Sequence, residues 1–109
     1  MDFKTYQNQA RLTAQYPNLG SNKIYPTLGL VGEAGEVAEK LKKVIRDKKG
    51  IFDDESKEGI KKELGDVLWY LSNLCDEFDF KLEEVALQNL DKLKLRAAKG
   101  KISGSGDDR

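Results

Sequence analysis

Apolar residues recur along this chain at intervals of three and four, the period of helices, and no stretch alternates in the manner of a strand. The first run covers Asp2 to about Tyr16 and points Phe3, Tyr6, Ala10 and Leu12 or Thr13 toward a core. Pro17, Asn18, Gly20, Ser21 and Asn22 then break the pattern as far as Lys23. A long second helix is expected from about Pro26 to Asp47. Its stripe is Val31, Ala34, Ala38, Leu41 and Ile45, widened by Val37 and Val44. Lys48 to Glu55 reads as a loop, and Ser56 is the expected N-cap of a third helix ending near Phe78. That helix carries Ile60, Leu64, Val67, Leu71, Leu74 and Phe78 on one face. After a turn at Asp79 to Lys81, a fourth helix runs from about Leu82 to Lys99. It has Val85, Ala86, Leu90, Leu93 and Ala97 inward, and Gly100 stops it. The expectation is an all-α, four-helix domain over residues 1–100, with a disordered Gly-Ser-Gly tail over 101–109.

At 109 residues the chain can bury only a modest core, so a second copy is expected to complete it. Lys plus Arg and Asp plus Glu each number 19, and a net charge of zero gives no global pull toward nucleic acid or an anionic membrane. Histidine is absent, which removes the commonest general base and the commonest zinc ligand. It also argues against di-iron bundles built on Glu-x-x-His. The single cysteine, Cys75, lies on the apolar side of the third helix and reads as a buried structural thiol. With no signal peptide and no apolar stretch near the membrane-spanning length, a cytoplasmic location is expected.

The candidate chemistry lies in two acidic pairs. Glu33 and Glu36 sit in G-E-A-G-E, and Glu63 and Asp66 in E-L-G-D. Each pair is spaced i, i+3, so its carboxylates leave one side of their helix. Two such pairs face to face form a cage of like charges that is costly unless a hard cation sits inside. All-oxygen ligation without His or Cys favours Mg²⁺, with Mn²⁺ the alternative, and such ions usually handle phosphates. On the helical wheel Glu63 and Asp66 border the apolar stripe, together with Tyr70 and Asn73. Glu33 and Glu36 lie toward the polar side, with Glu33 nearer the stripe. Taken alone, Glu33 and Glu36 also read as ordinary solvated acids, whereas Glu63 and Asp66, at the border of a core, are harder to dismiss. Gly29, Gly32 and Gly35 recur inside the second helix at a cost of about 1 kcal/mol each relative to Ala, which implies close packing or clearance beside the acids. Asn89, Lys92 and Arg96 form a polar stripe on the fourth helix, suited to phosphate and to base edges. The same stripe also reads as cations near a helix C-terminus. Trp69 lies off its apolar stripe and reads as packing against the first helix or a subunit interface, or as a stacking wall for a base. The loop Asp47 to Glu55 lacks the ligand pattern of an EF-hand, and no phosphate-loop or dinucleotide fingerprint is present.

Leu28 to Lys40 (L-G-L-V-G-E-A-G-E-V-A-E-K), Lys62 to Leu71 (K-E-L-G-D-V-L-W-Y-L) and Asn89 to Arg96 (N-L-D-K-L-K-L-R) together resemble the MazG-like all-α nucleoside triphosphate pyrophosphohydrolases. The resemblance covers about Tyr25 to Gly100. The family pattern is Glu-Glu-x-x-Glu followed by Glu-x-x-Asp, and the first Glu corresponds to Gly32 here. The resemblance implies that Glu33, Glu36, Glu63 and Asp66 hold Mg²⁺. It also implies that Tyr70, Asn89, Lys92 and Arg96 face the nucleotide, and that the chain works as a homodimer or homotetramer. The expected reaction is NTP or dNTP plus water to the monophosphate plus pyrophosphate, attack falling on the α-phosphorus. Without His a carboxylate must take the proton, and Glu36 is the expected base, with Glu63 the second catalytic carboxylate. Phosphoribosyl-ATP pyrophosphohydrolase activity, or a helical oligomer that binds nucleotide without cleaving it, are the alternative readings.

Overall fold

The computed structural model describes residues 1–100; the tail expected over 101–109 lies outside the described residues. Four helices follow in order, α1 (Phe3–Leu12), α2 (Ile24–Asp47), α3 (Asp54–Glu77) and α4 (Leu82–Ala98), and no strand occurs among the described residues. None of the helices is long and apolar enough to cross a membrane. The fold class is therefore all-α, as the periodicity predicts.

The helix boundaries have local causes. Asp2 caps α1, its carboxylate accepting from the Thr5 N–H at 2.7 Å. Pro26 sits in the first turn of α2, where its missing N–H has no intrahelical partner to lose. The cap of α3 is Asp53 rather than Ser56: Asp53 Oδ1 accepts from the Ser56 N–H at 2.8 Å, and the helix starts three residues earlier than expected. Lys48 fixes this corner by donating to Asp53 and to Ser56 Oγ, both at 3.0 Å. Gly100 ends α4 in the left-handed conformation at φ +67°.

α2 and α3 form a long antiparallel hairpin, and α1 packs on α3 while α4 packs on α1. The face that α2 turns to α3 is not its apolar stripe. Pro26 and Val44 are buried, and Leu30, Glu33 and Val37 are half-buried. The expected core positions Val31, Ala34, Ala38, Leu41 and Ile45 are exposed, Val31 at 68% and Ile45 at 63%. α2 is apolar over two arcs, and its own chain supplies one long partner. Periodicity marks both arcs without saying which one that partner covers. Similar corrections hold elsewhere: Leu64, Phe78, Leu90, Ala97, Phe3, Leu12 and Thr13 are exposed rather than inward. Cys75 is buried as expected, and burial pushes its thiol pKa up.

The N-terminal segment is held to α3 by a buried polar network. The Glu77 side chain is fully buried. Its Oε2 accepts from Arg11 Nη2 at 2.9 Å, Tyr16 Oη at 2.6 Å and the Gly20 N–H at 2.9 Å. Its Oε1 accepts from the Asn22 N–H at 2.7 Å. Burial disfavours the Glu77 charge, but these donors prevail and hold its pKa down at about 2. Arg11 also donates to the buried Asn73, and Gln7 joins α1 to Asp76, Phe80 and the first N–H of α4 at Leu82. Three helices, α1, α3 and α4, and the loop after α1 are thus tied together through side chains that local sequence pattern marks only as polar.

Candidate metal centre

The hairpin brings one acidic arc of α2 against one of α3. Glu33, Glu63 and Asp66 each offer a carboxylate oxygen, and these oxygens lie within 4.8 Å of one another. Glu33 faces α3 at the helix–helix seam rather than the polar side, which follows from the rotation of α2 described above. Glu33 and Glu63 lie close enough to share a proton. That contact, burial, and the charges of Glu63, Asp66 and Glu36 hold the Glu33 pKa above the ordinary glutamate value. Glu63 Oε2 is buried and has no hydrogen-bond donor. Its other oxygen has Lys40 Nζ at 3.7 Å, a long contact that leaves most of the negative charge uncompensated. A cluster of hard oxygens short of donors fits a small divalent cation, and it fits neither a soft metal nor an anion.

Glu36 lies about one turn further along α2 on the exposed surface, outside the group of three but near enough for its charge to act on Glu33. Tyr70 lies on the next turn of α3 after Asp66. Burial raises its pKa, as do Tyr25, Glu33 and Asp66, so the phenol borders the acids. Gly29 has a steric role, since a Cβ there would collide with the Tyr70 ring. Gly32 and Gly35 have nothing within 4 Å of a Cβ. Packing therefore explains Gly29 alone, and the position where the family pattern carries a first Glu opens onto free space.

Asn89 is exposed, Lys92 half-buried and Arg96 buried, on a helix that packs against α1. The cation at the cluster is Lys40, which the sequence reading passed over. The signal was its i, i+4 spacing from Glu36. Beyond Lys40 the seam opens into a groove of about 610 Å³, where Lys43, Lys48 and Lys62 alternate with Asp47, Glu55 and Glu58. Its mixed charge and its distance from the three carboxylates make it a poorer site than the cluster.

The MazG nucleotide pyrophosphohydrolase domain matches residues 25–100. The chain belongs to the MazG nucleotide pyrophosphohydrolase family. It is also similar to the Gene 37 protein of Mycobacterium phage L5, at 45% identity over 114 residues spanning the whole of both chains. No solved structure matches it. The matched MazG domain contains all three clustered acids, Tyr70 and the α4 stripe, whereas α1 and the Arg11–Tyr16 side of the Glu77 network precede it.

Proposed function

We propose that this MazG-family chain is a Mg²⁺-dependent nucleoside triphosphate pyrophosphohydrolase, splitting an NTP or dNTP into the monophosphate and pyrophosphate. The observation that carries the reading is the donor-poor cluster of Glu33, Glu63 and Asp66 at the seam of the MazG hairpin. Glu33, Glu63 and Asp66 would hold the ion, with Glu36 as the fourth ligand and the proposed proton acceptor. Bound Mg²⁺ would supply the positive charge that a triphosphate needs as pyrophosphate departs. Glu63 is buried enough to keep its orientation, and Tyr70 closes the seam on the side of the sugar. Lys92 and Arg96 are proposed to stabilise the phosphate chain and Asn89 to contact the nucleotide. Because α4 packs on α1, the exposed Asn89 and half-buried Lys92 would reach the nucleotide most readily from another copy. A homodimer or homotetramer is part of the proposal, supported by the exposed stripe Leu28, Val31, Leu41 and Ile45 on α2. The proposed role is clearance of unwanted nucleotides from the pool.

The test is pyrophosphate release from a panel of canonical and modified triphosphates, with Mg²⁺ and with EDTA. Release paired with monophosphate and abolished by EDTA is expected. Cleavage of phosphoribosyl-ATP but of no free triphosphate would move the activity to that substrate. Binding without release would make the chain a nucleotide-binding oligomer.

A further inference from the structure

Beside the carboxylate cluster, the loop after α1 and the facing turns of α2 and α3 form an open aromatic slot of about 470 Å³. Tyr16, Tyr25, Trp69 and Tyr70 line it, with Thr13 and Gln15 at its rim. The rings are fixed before any ligand arrives. Tyr16 and Tyr25 stack with centroids 5.0 Å apart, and Trp69 meets Tyr70 edge to face at 5.0 Å. Trp69 Nε1 donates to Thr13 Oγ1 at 2.7 Å, while the Tyr16 hydroxyl is held by Glu77 and Arg11. The buried Glu77 network therefore has a visible effect at the surface, since it clamps the wall of this slot. No carboxylate or cationic side chain lines the slot. Its polar rim reduces to Gln15, because the Thr13 hydroxyl already accepts from Trp69 and donates to the Ala10 carbonyl. Tyr70 connects the slot to the acids. It lies about 6 Å along α3 from Asp66, one helical turn, and its ring neighbours Tyr25 at 6.4 Å.

We propose that this slot takes the nucleobase of the triphosphate as an uncharged planar ring stacked on Trp69 and Tyr25, with the Gln15 amide reading its edge. The proposal rests on the reading of Glu33, Glu63 and Asp66 as the metal–phosphate site, which fixes where the phosphates lie. Stacking needs a π face and little else, and every base has one. Selection among bases then falls to Gln15, whose amide offers both a donor and an acceptor. A slot without a carboxylate offers a protonated base no counter-charge, and the single turn between Tyr70 and Asp66 leaves room for one sugar between ring and phosphate.

The chain has one tryptophan, so Trp69 fluorescence reports on this slot directly. The experiment titrates the full-length protein with α,β-imido nucleoside triphosphates, inorganic tripolyphosphate and free nucleosides, each with Mg²⁺ and with EDTA, following fluorescence and calorimetry together. The nucleotides are expected to change Trp69 emission saturably, while tripolyphosphate binds without changing it. Tyr25→Ala should weaken nucleotide binding about tenfold and leave tripolyphosphate binding within about twofold. Gln15→Ala, at an exposed position with little bearing on folding, should compress the preference among bases. Nucleotide binding with a silent Trp69 and unaltered Tyr25→Ala and Gln15→Ala variants would overturn the slot while sparing the metal site. If tripolyphosphate fails to bind with Mg²⁺ but nucleosides still alter Trp69, the slot stands and the metal reading falls. Trp69 shielded from iodide and unresponsive to every nucleotide would assign the slot to a contact between copies and overturn the proposal.

Discussion

Glu63 and Glu77 sit on the same helix, about four turns apart, and both carboxylates are largely removed from water. Glu77 accepts four hydrogen bonds from Arg11, Tyr16, Gly20 and Asn22. Glu63 has an oxygen with no donor at all and two further carboxylates at its side. The first is a completed structural charge, its desolvation offset by hydrogen bonds to the charged form. The second is an incomplete electrostatic arrangement, stable only because the rest of the hairpin holds it. Within the fold Glu77 has a full set of donors and Glu63 does not. The count of donors separates them, whereas residue type and burial do not.

The strongest test of that contrast exchanges charge for amide at each site. Glu63→Gln should lower pyrophosphate release by about a thousandfold with helix content by circular dichroism unchanged. Full Mg²⁺-dependent activity in that variant would remove the distinction. Glu77→Gln should act the other way round, costing about 3–5 kcal/mol of stability, read from the urea midpoint. A midpoint within error of the parent would show that the network is not structural.

Gly29 and Gly32 sharpen the picture at the seam. Gly29→Ala should cost about 1–3 kcal/mol because its methyl meets the Tyr70 ring. Gly32→Ala should gain about 1 kcal/mol, being helix-interior and unobstructed. Equal effects at both positions would mean that Tyr70 does not rest on α2.

The smallest expected effect separates the clusters by pH. The folded pKa of Glu77 is lowered from 4.5 to about 2, so its stabilisation is complete above 4.5 and is lost as pH falls toward 2. The folded pKa of Glu33 is raised above 4.5, so its contribution is full below that value and is lost as pH rises through the raised one. Without metal, Glu33→Gln should therefore raise the melting temperature at neutral pH, by the equivalent of about 1 kcal/mol, and make no difference at pH 4. Mg²⁺ should stabilise the parent at neutral pH more than it stabilises this variant.

The four helices were legible because each carries a sustained apolar period, whereas their ends were less so: α1 stops at Leu12 rather than near Tyr16, and Asp53 rather than Ser56 caps α3. The rotation of α2 was not legible, since two apolar arcs compete and only tertiary packing chooses between them. The acidic pairs were legible as pairs from their i, i+3 spacing, yet the burial of Glu33 followed from that hidden rotation. Glu77 gave no local signal whatever. Its donors lie in α1 and the loop beyond it, more than fifty residues away in sequence. The aromatic slot had the same cause of concealment, because Tyr16, Tyr25 and Trp69 meet only once that loop is anchored. The α4 stripe was visible as a stripe, but spacing carried no information on which copy of the chain it serves.

The donors to Glu77 also set an order of assembly. The α2–α3 hairpin forms from neighbouring segments, whereas the first 23 residues reach it through long-range bonds to the C-terminal part of α3. Contacts that close short loops are favoured early, and distant ones follow. The N-terminal arm is therefore expected to dock last and to release first, as one cooperative unit. Amide exchange should show α1 and the Gly20 and Asn22 N–H groups opening together, ahead of the hairpin. A chain built this way would lose the wall of its aromatic slot before it lost the helices that carry its acids.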